Sequence, residues 1–135
     1  MITLNGTIVS GIGKGGLYIS LKGYMDQFRD ILGLTPYPGT LNVKLDEESK
    51  EKYSRLMDTH EGKTLIGFKV DDKEYGDVKV FSAELEELKC YIVAPNKSIH
   101  EDTAELVSDR NLRTELGLQD GDSVTVHVHQ NSSVT

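Results

Sequence analysis

The amino-acid sequence predicts a mainly β protein, a small β-barrel of six or seven strands with two or three inserted helices. Short runs that alternate apolar and polar residues, such as "LNVKL" and "SVTVHV", are typical of half-buried strands. Turn residues, such as Gly39 and the pair Asp120 and Gly121, separate these runs. The 135 residues suit one core, so we expect a single domain over residues 1–130 and a frayed tail over 131–135.

The first third of the chain is predicted to contain two strands and a helix. The segment from Ile2 to Ser10 is typical of a strand interrupted at Gly6, and "LYISL" of a second strand after a glycine cluster. A helix is predicted over Tyr24–Leu32, with Gly33 as its C-cap. The charged segment "DEESKEKYSRLMDTHEG" is predicted to be a short helix or a surface loop. The apolar residues at helical spacing in the first helix are Met25, Phe28, Ile31 and Leu32.

The rest of the chain is predicted to contain a β-meander, a helix and a last strand. The segments "TLIGFKV", "DVKVFSAEL" and "ELKCYIVAP" are typical of antiparallel strands. The segment "HEDTAELVSDRNLRTELGL" has a helical pattern, with Asp102 or Thr103 as N-cap and Gly117 at its end. A turn at Asp120 and Gly121 then precedes the last strand. The residues of that helix expected to face inward are Ala104, Leu106, Val107, Leu112 and Leu116.

Composition excludes several classes of function. The formal net charge is −7 and the basic residues are scattered, so we expect binding neither to nucleic acid nor to a membrane surface. No apolar run approaches the roughly 20 residues that span a bilayer, and the N-terminus lacks the pattern of a signal peptide. The single cysteine, Cys90, is expected to be a small core residue in a cytoplasmic protein.

The glycine cluster "GIGKGG" matches G-x-G-x-x-G through Gly11, Gly13 and Gly16. The dinucleotide-binding version of this motif runs from a strand into a helix, whereas strand-like residues follow here. The Walker version needs Ser or Thr after the lysine, and Gly15 follows Lys14. Two interpretations remain with similar weight: a loop whose backbone amides cradle the phosphates of a nucleotide, or a flexible hairpin without a ligand.

Thr40 and Asn42 are the most informative pair of polar residues. They follow the rigid turn "PYPG" and lie on the same face of a predicted strand, opposite Leu41 and Val43. Their side chains offer two neutral oxygen ligands, and Mg²⁺ commonly takes one or two protein oxygens together with water and substrate phosphates. The alternative is that Asn42 satisfies a nearby backbone group. A nucleotide site at the glycine cluster would favour the magnesium interpretation.

Four segments carry a family resemblance: "SGIGKGGLYISL", "LGLTPYPGTLNVKL", "YIVAPNKSIH" and "NLRTELGLQDGDSVTVHV". In this order, from about Leu4 to Val128, they resemble the successive motifs of the archaeal CTP-dependent riboflavin kinases. The element P-x-G-T-L-N is also similar to the metal-holding Pro-Thr-x-Asn motif of ATP-dependent riboflavin kinases. The resemblance implies a six-stranded cradle-loop β-barrel that transfers the γ-phosphate of CTP to the 5′-hydroxyl of riboflavin, giving FMN and CDP, with Mg²⁺ as cofactor.

The resemblance also implies a role for individual residues. Thr40 and Asn42 would hold Mg²⁺, and Ser98 and Glu105 would contact the flavin, with Glu105 as the candidate general base. Ser98 stands where the family pattern has threonine, which keeps the hydroxyl. Arg113 is the side chain best suited to grip phosphate, or is otherwise a surface charge. The residues implied to bind the nucleotide are Gly11, Ile12, Gly13, Lys14, Gly15, Gly16, Asn111, Leu112, Arg113 and Thr114.

Two other classes of function stay open at this stage. The C-terminal "LQDGDSVTVHV" also suits small swapped-hairpin barrels that act as non-catalytic binding modules. A metal-binding protein is the third possibility, although its histidines lack the spacing of a structural zinc site. We expect a monomer, and we expect no DNA binding because the barrel motifs begin within the first residues, without a preceding winged helix. The four histidines are His60, His100, His127 and His129.

Overall fold

The computed structural model describes residues 2–10, 21–58, 62–95 and 102–129, and these form nine strands and three helices. None of these helices is long and apolar enough to cross a membrane. The elements are, in chain order, β1 (Ile2–Val9), α1 (Lys22–Leu32), β2 (Leu41–Leu45), α2 (Glu47–Met57), β3 (Lys63–Leu65), β4 (Phe68–Val70), β5 (Lys73–Tyr75), β6 (Val78–Leu85), β7 (Leu88–Pro95), β8 (Thr103–Val107), α3 (Leu112–Leu116) and β9 (Ser123–Val128).

Six of the strands close into an antiparallel barrel. Their order is β6-β7-β8-β2-β1-β9, and β9 pairs back onto β6, so that Ala83 lies opposite Val128. The short strand β3 pairs with β6 outside this ring, and β4 and β5 form a separate hairpin. Closure leaves the six strands no long free edge, which a small sheet otherwise exposes. The predicted six-stranded barrel with inserted helices is therefore confirmed.

The barrel interior is one continuous apolar core. Alternate residues of each strand point inward, as a half-buried strand requires, and helices α2 and α3 cover the barrel with Leu56 and Leu112. Asp46 caps the N-terminus of α2, because its side chain accepts a hydrogen bond from the Ser49 amide. Cys90 is a fully buried member of this core, as predicted, and burial raises the pKa of its thiol to about 12.

Helix α1 covers the outer face of strands β6, β7 and β8 and forms a second core. Tyr24 and Phe28 are its buried residues, and the Phe28 ring meets Tyr91 edge to face. Gly33 ends the helix in the left-handed conformation, as predicted. Of the apolar residues at helical spacing, Phe28 is buried, whereas Ile31 is 40% exposed. The helix therefore turns Tyr24, rather than Ile31, towards the sheet.

The segment before α3 corrects the sequence prediction. Residues Thr103–Val107 form a strand, β8, and only Leu112–Leu116 are helical. Ala104, Leu106 and Val107 are buried, as predicted, but they belong to a strand and not to the predicted helix. β8 lies between β2 and β7, so backbone hydrogen bonds on both edges outweigh the local helical pattern. Gly117 does end the short helix, and the strand predicted over "TLIGFKV" is split into β3 and β4.

Strand β1 needs a residue without a side chain at Gly6, because the backbone of strand β2 passes very close to it. A Cβ atom there would lie 2.3 Å from the Lys44 carbonyl oxygen and 2.8 Å from Val43 Cγ1. We expect Gly6→Ala to lower the free energy of unfolding by about 2 kcal/mol, because backbone on the neighbouring strand cannot move aside. Urea denaturation gives this value. In the matched variant Gly76→Ala the new Cβ meets open space, so a similar loss there would contradict the explanation.

Candidate functional site

The turn "TPYPGT" places Thr40 and Asn42 at the start of strand β2. Pro36 is buried, and the Tyr37 amide donates a 2.8 Å hydrogen bond to the carbonyl oxygen of Ser108, which follows β8. The Gly39 amide donates to the Tyr37 carbonyl oxygen at 2.7 Å and tightens the turn. The first bond ties the turn to the residue after β8, and the second lies within the turn itself.

Thr40, Asn42 and Glu105 bring three side-chain oxygens together on the outer face of the barrel. Asn42 and Glu105 are directly opposite each other on β2 and β8, and Thr40 lies beside both. Thr40 Oγ1 is 3.3 Å from Glu105 Oε1 and 3.4 Å from Asn42 Oδ1. Asn42 is buried, while the other two side chains are half-buried. The prediction that Thr40 and Asn42 share a face is thus confirmed, and Glu105 joins them.

The chemistry of this oxygen cluster suits a hard cation. Thr40 Oγ1 lies within 3.4 Å of both the Asn42 carboxamide oxygen and the Glu105 carboxylate, and these three oxygen types are ones that Mg²⁺ takes in proteins. Among residues 2–10, 21–58, 62–95 and 102–129 there is no group of three or more His, Cys, Asp and Glu side chains that could hold a metal. A hard cation held at this cluster would need further ligands, such as substrate phosphates and water.

A cleft of about 170 Å³ opens next to Thr40, where β2 begins and β8 ends. Its floor is apolar, formed by Leu41, Leu106 and Leu112. Its other lining residues are mostly polar and include two arginines, Arg110 and Arg113, which are paired with Glu115 and Asp120. A cleft with apolar lining and two arginines suits a ligand that has both a flat apolar part and negative charge, since a guanidinium has five N–H donors. The remaining residues that line it are Tyr37, Gly39, Thr40, Ser108 and Asn111.

Arg113 is held at the rim by an ion pair. Its Nη2 donates to Asp120 Oδ1 at 2.9 Å, and the hydroxyl of Ser10 donates to the other oxygen of the same carboxylate. The hydrogen bond from Ser10, and then that from Arg113, hold the pKa of Asp120 below its ordinary value, so this carboxylate stays charged. Asp120 therefore connects Ser10, the last described residue before the glycine cluster, to Arg113 of the segment "NLRT".

Asn111 connects the short helix α3 to the turn before β2. Its Oδ1 accepts a hydrogen bond from the Thr114 amide at 3.2 Å, which makes it the N-cap of α3. Its Nδ2 donates to the Tyr37 hydroxyl at 3.2 Å. Of the predicted segment "NLRT", Asn111, Leu112 and Arg113 line the cleft, whereas Thr114 is exposed.

Among the residues of this cleft that sequence reasoning missed are Tyr37, Ser108 and Arg110. Tyr37 belongs to the quoted turn, where an aromatic side chain between two prolines was an available signal. Ser108 is buried, and its carbonyl oxygen accepts the hydrogen bond from Tyr37. Arg110 comes directly before the predicted "NLRT" segment and pairs with Glu115 at 2.9 Å. No sequence signal marks Ser108 or Arg110 as part of a cleft, because that depends on where β8 ends.

Some predicted residues lie outside the described residues. These are the glycine cluster Gly11–Gly16, most of the strand predicted over "LYISL", Ser98, His60 and His100. The two described histidines have ordinary partners: His127 Nδ1 lies 3.3 Å from Thr3 Oγ1, and His129 Nε2 lies 3.3 Å from Glu84 Oε2. Neither belongs to a group that could hold a metal within the described part of the chain.

Comparison with known proteins places this site in context. Residues 8–128 match the model of the family CTP-dep_RFKase, which is described as a domain of unknown function, DUF120. The chain is 38% identical over 128 residues to a riboflavin kinase of Thermoplasma acidophilum, which covers 95% of this chain and 58% of that protein. A riboflavin kinase of Pyrobaculum islandicum is 43% identical over 129 residues, which are 95% of this chain and 61% of that protein.

A shorter relative is covered more fully. A riboflavin kinase of Ignicoccus hospitalis is 45% identical over 129 residues, which are 95% of this chain and 72% of that protein. The chain spans 58% of the Thermoplasma protein's length and 61% of the Pyrobaculum protein's. The matched range includes the turn before β2, the oxygen cluster and the cleft.

Proposed function

Because this chain belongs to the CTP-dependent riboflavin kinase family, we propose that it transfers the γ-phosphate of CTP to the 5′-hydroxyl of riboflavin, giving FMN and CDP. The observation that carries the proposal is the position of Thr40 Oγ1, 3.4 Å from Asn42 Oδ1 and 3.3 Å from Glu105 Oε1, beside a cleft that Arg110 and Arg113 help to line. Phosphoryl transfer needs mainly positioning and neutralisation of charge, which is what this arrangement supplies.

Thr40 and Asn42 would hold the magnesium ion, and the phosphates of CTP would complete its ligands. When bound, the ion neutralises negative charge on the transferred phosphoryl group and on the leaving CDP. Asn111, Leu112, Arg113 and Thr114, together with the glycine cluster Gly11–Gly16, would bind the nucleotide. Ser98 and Glu105 would bind the flavin. Apart from the glycine cluster and Ser98, all of these residues lie at or near one end of the barrel.

Glu105 is the candidate general base of this reaction. The bond between the 5′-oxygen of riboflavin and the γ-phosphorus forms while the bond from that phosphorus to the β-phosphate oxygen breaks. The proton of the 5′-hydroxyl passes to the Glu105 carboxylate, which lies beside Thr40 at the edge of the cleft. Arg113, which Asp120 holds at the rim, would bind a phosphate oxygen through the guanidinium nitrogens that Asp120 does not engage.

An FMN-formation assay tests the proposed function. The purified chain is incubated with riboflavin and magnesium together with CTP, ATP, GTP or UTP, and FMN is separated from riboflavin by liquid chromatography. We expect FMN with CTP and much less with the other three nucleotides. No FMN with any nucleotide, at a protein concentration where riboflavin and CDP both bind, would support a non-catalytic binding module instead.

Glu105→Gln tests the role of the candidate base. We expect kcat for FMN formation to fall by about 50-fold, below the usual range for general bases, because a loose phosphoryl-transfer transition state needs little base assistance. The KM for riboflavin should change by less than about threefold, since the amide keeps the size of the carboxylate. Glu74→Gln, on the exposed strand β5, is the matched control. A raised KM with unchanged kcat would assign Glu105 to flavin binding alone.

A further inference from the structure

Tyr37 presents an aromatic ring at the rim of the cleft in a fixed position. The residue is 40% exposed, yet its backbone is bonded to Ser108 and Gly39, and its hydroxyl accepts a hydrogen bond from Asn111. Gly39 also approaches the ring, since a Cβ atom there would lie 3.2 Å from Tyr37 Cε2. The ring of Tyr37 is therefore held in place while part of its surface stays accessible.

The surroundings of the ring indicate what it binds. The apolar floor of the cleft accepts a flat, weakly polar group, and stacking on an aromatic ring is how proteins hold nucleobases without reading their sequence. Arg110 and Arg113 also line the cleft, and the guanidinium nitrogens that Glu115 and Asp120 do not engage suit the phosphates of the same ligand. Thr40 lines the cleft and also belongs to the oxygen cluster, so phosphates at that cluster would leave the base within the cleft.

The size of the cleft favours a nucleotide base over a flavin ring. A volume of about 170 Å³ is smaller than the 300–1,000 Å³ of pockets that bury a whole ligand, so the cleft holds only one part of a ligand. A single-ring pyrimidine fits such a space more readily than a two-ring purine or the three-ring isoalloxazine. The guanidinium groups of Arg110 and Arg113 also suit CTP better than riboflavin, which carries no phosphate.

We propose that the pyrimidine base of the nucleotide stacks on the ring of Tyr37, and that this ring narrows the cleft against purines. The inference rests on the proposed function and adds to it the residue that selects the base. Tyr37 acts here as a specificity-determining residue through its ring, while its hydroxyl accepts a hydrogen bond from Asn111.

The test uses Tyr37→Leu and the matched variant Tyr37→Phe, which keeps the ring and removes the hydrogen bond to Asn111. Calorimetric titrations in the presence of magnesium measure the Kd of CDP, of pyrophosphate and of riboflavin. We expect Tyr37→Leu to raise the Kd of CDP about 10-fold, which is the effect of losing one base stack. The Kd values of pyrophosphate and of riboflavin should stay unchanged. Tyr37→Phe should stay within about threefold of the unmodified chain for CDP.

Steady-state assays add the second readout. The ratio of kcat/KM for ATP to that for CTP should rise about 10-fold in Tyr37→Leu and stay near its original value in Tyr37→Phe, as expected when one base stack is lost. The inference would be overturned if Tyr37→Leu lost equal affinity for CDP and for pyrophosphate, or lost affinity for riboflavin alone. An unmodified chain that binds CDP but loses no affinity in Tyr37→Leu overturns only the stacking, whereas one that binds no CDP at all overturns the proposed function as well.

Discussion

The double variant Thr40→Val, Asn42→Leu is expected to form FMN on the order of 10³-fold more slowly than the unmodified chain while keeping its fold. Both replacements remove an oxygen of the cluster and keep the approximate volume of the side chain. Valine and leucine are tolerated in a strand, and Asn42 is already buried. The measurement is kcat for FMN formation at saturating CTP and riboflavin, together with a urea denaturation curve for each protein.

Two control variants make the result specific. Lys44→Leu changes an exposed residue of the same strand, and Thr64→Val changes an exposed threonine of β3. Both should keep kcat within about twofold, as surface substitutions away from a site generally do. Raising the magnesium concentration should partly restore kcat in the single variant Thr40→Val, because the oxygen ligand of Asn42 remains. Full activity of the double variant at limiting magnesium would show that the oxygen cluster does not hold the metal.

Magnesium affinity is expected to depend on bound nucleotide by a factor of about 100, towards the upper end of ordinary coupling between two ligands. Thr40 and Asn42 are uncharged, and Glu105 adds only one carboxylate, so these residues alone cannot replace the hydration of Mg²⁺. The phosphates of the nucleotide must supply the other anionic ligands. The measurement is a magnesium titration of the chain alone and of the chain saturated with a non-hydrolysable CTP analogue.

Linkage supplies an internal check on this expectation. Magnesium should raise the affinity for the CTP analogue by the same factor by which the analogue raises the affinity for magnesium. In the double variant Thr40→Val, Asn42→Leu the factor by which each ligand raises the affinity for the other should fall. It should then reflect only the binding of magnesium to the nucleotide in free solution. Equal magnesium affinity with and without the analogue would contradict the assignment, because a site built from carboxylates elsewhere would bind the ion without a nucleotide.

Local sequence patterns were sufficient for the geometry around β2. The alternation in "LNVKL" placed Leu41 and Val43 inside, and the proline turn placed Thr40 and Asn42 together on the other face. These conclusions depend on the period of a strand and on the restricted backbone of proline, both of which act over a few residues. The helix end at Gly33 was predictable for the same reason.

The segment from Thr103 to Leu116 shows where local patterns fail. Apolar residues at Ala104 and Val107 fit a helix, while those at Ala104 and Leu106 fit a strand, so a short segment carries both periods. The pairing of β8 with β2 and β7 decides between them, and those partners come from distant parts of the chain. Only after that decision does Glu105 lie opposite Asn42.

The sequence by itself therefore determined the barrel class, the rigid turn and the shared face of Thr40 and Asn42, because each follows from short-range backbone preferences or from motifs read in order. The tertiary structure decided that Glu105 meets Thr40, 65 residues away, and that Tyr37 faces a cleft rimmed by Arg110 and Arg113. Those contacts depend on strand register and on closure of β9 against β6, which are set by burial and hydrogen bonding summed over the whole barrel.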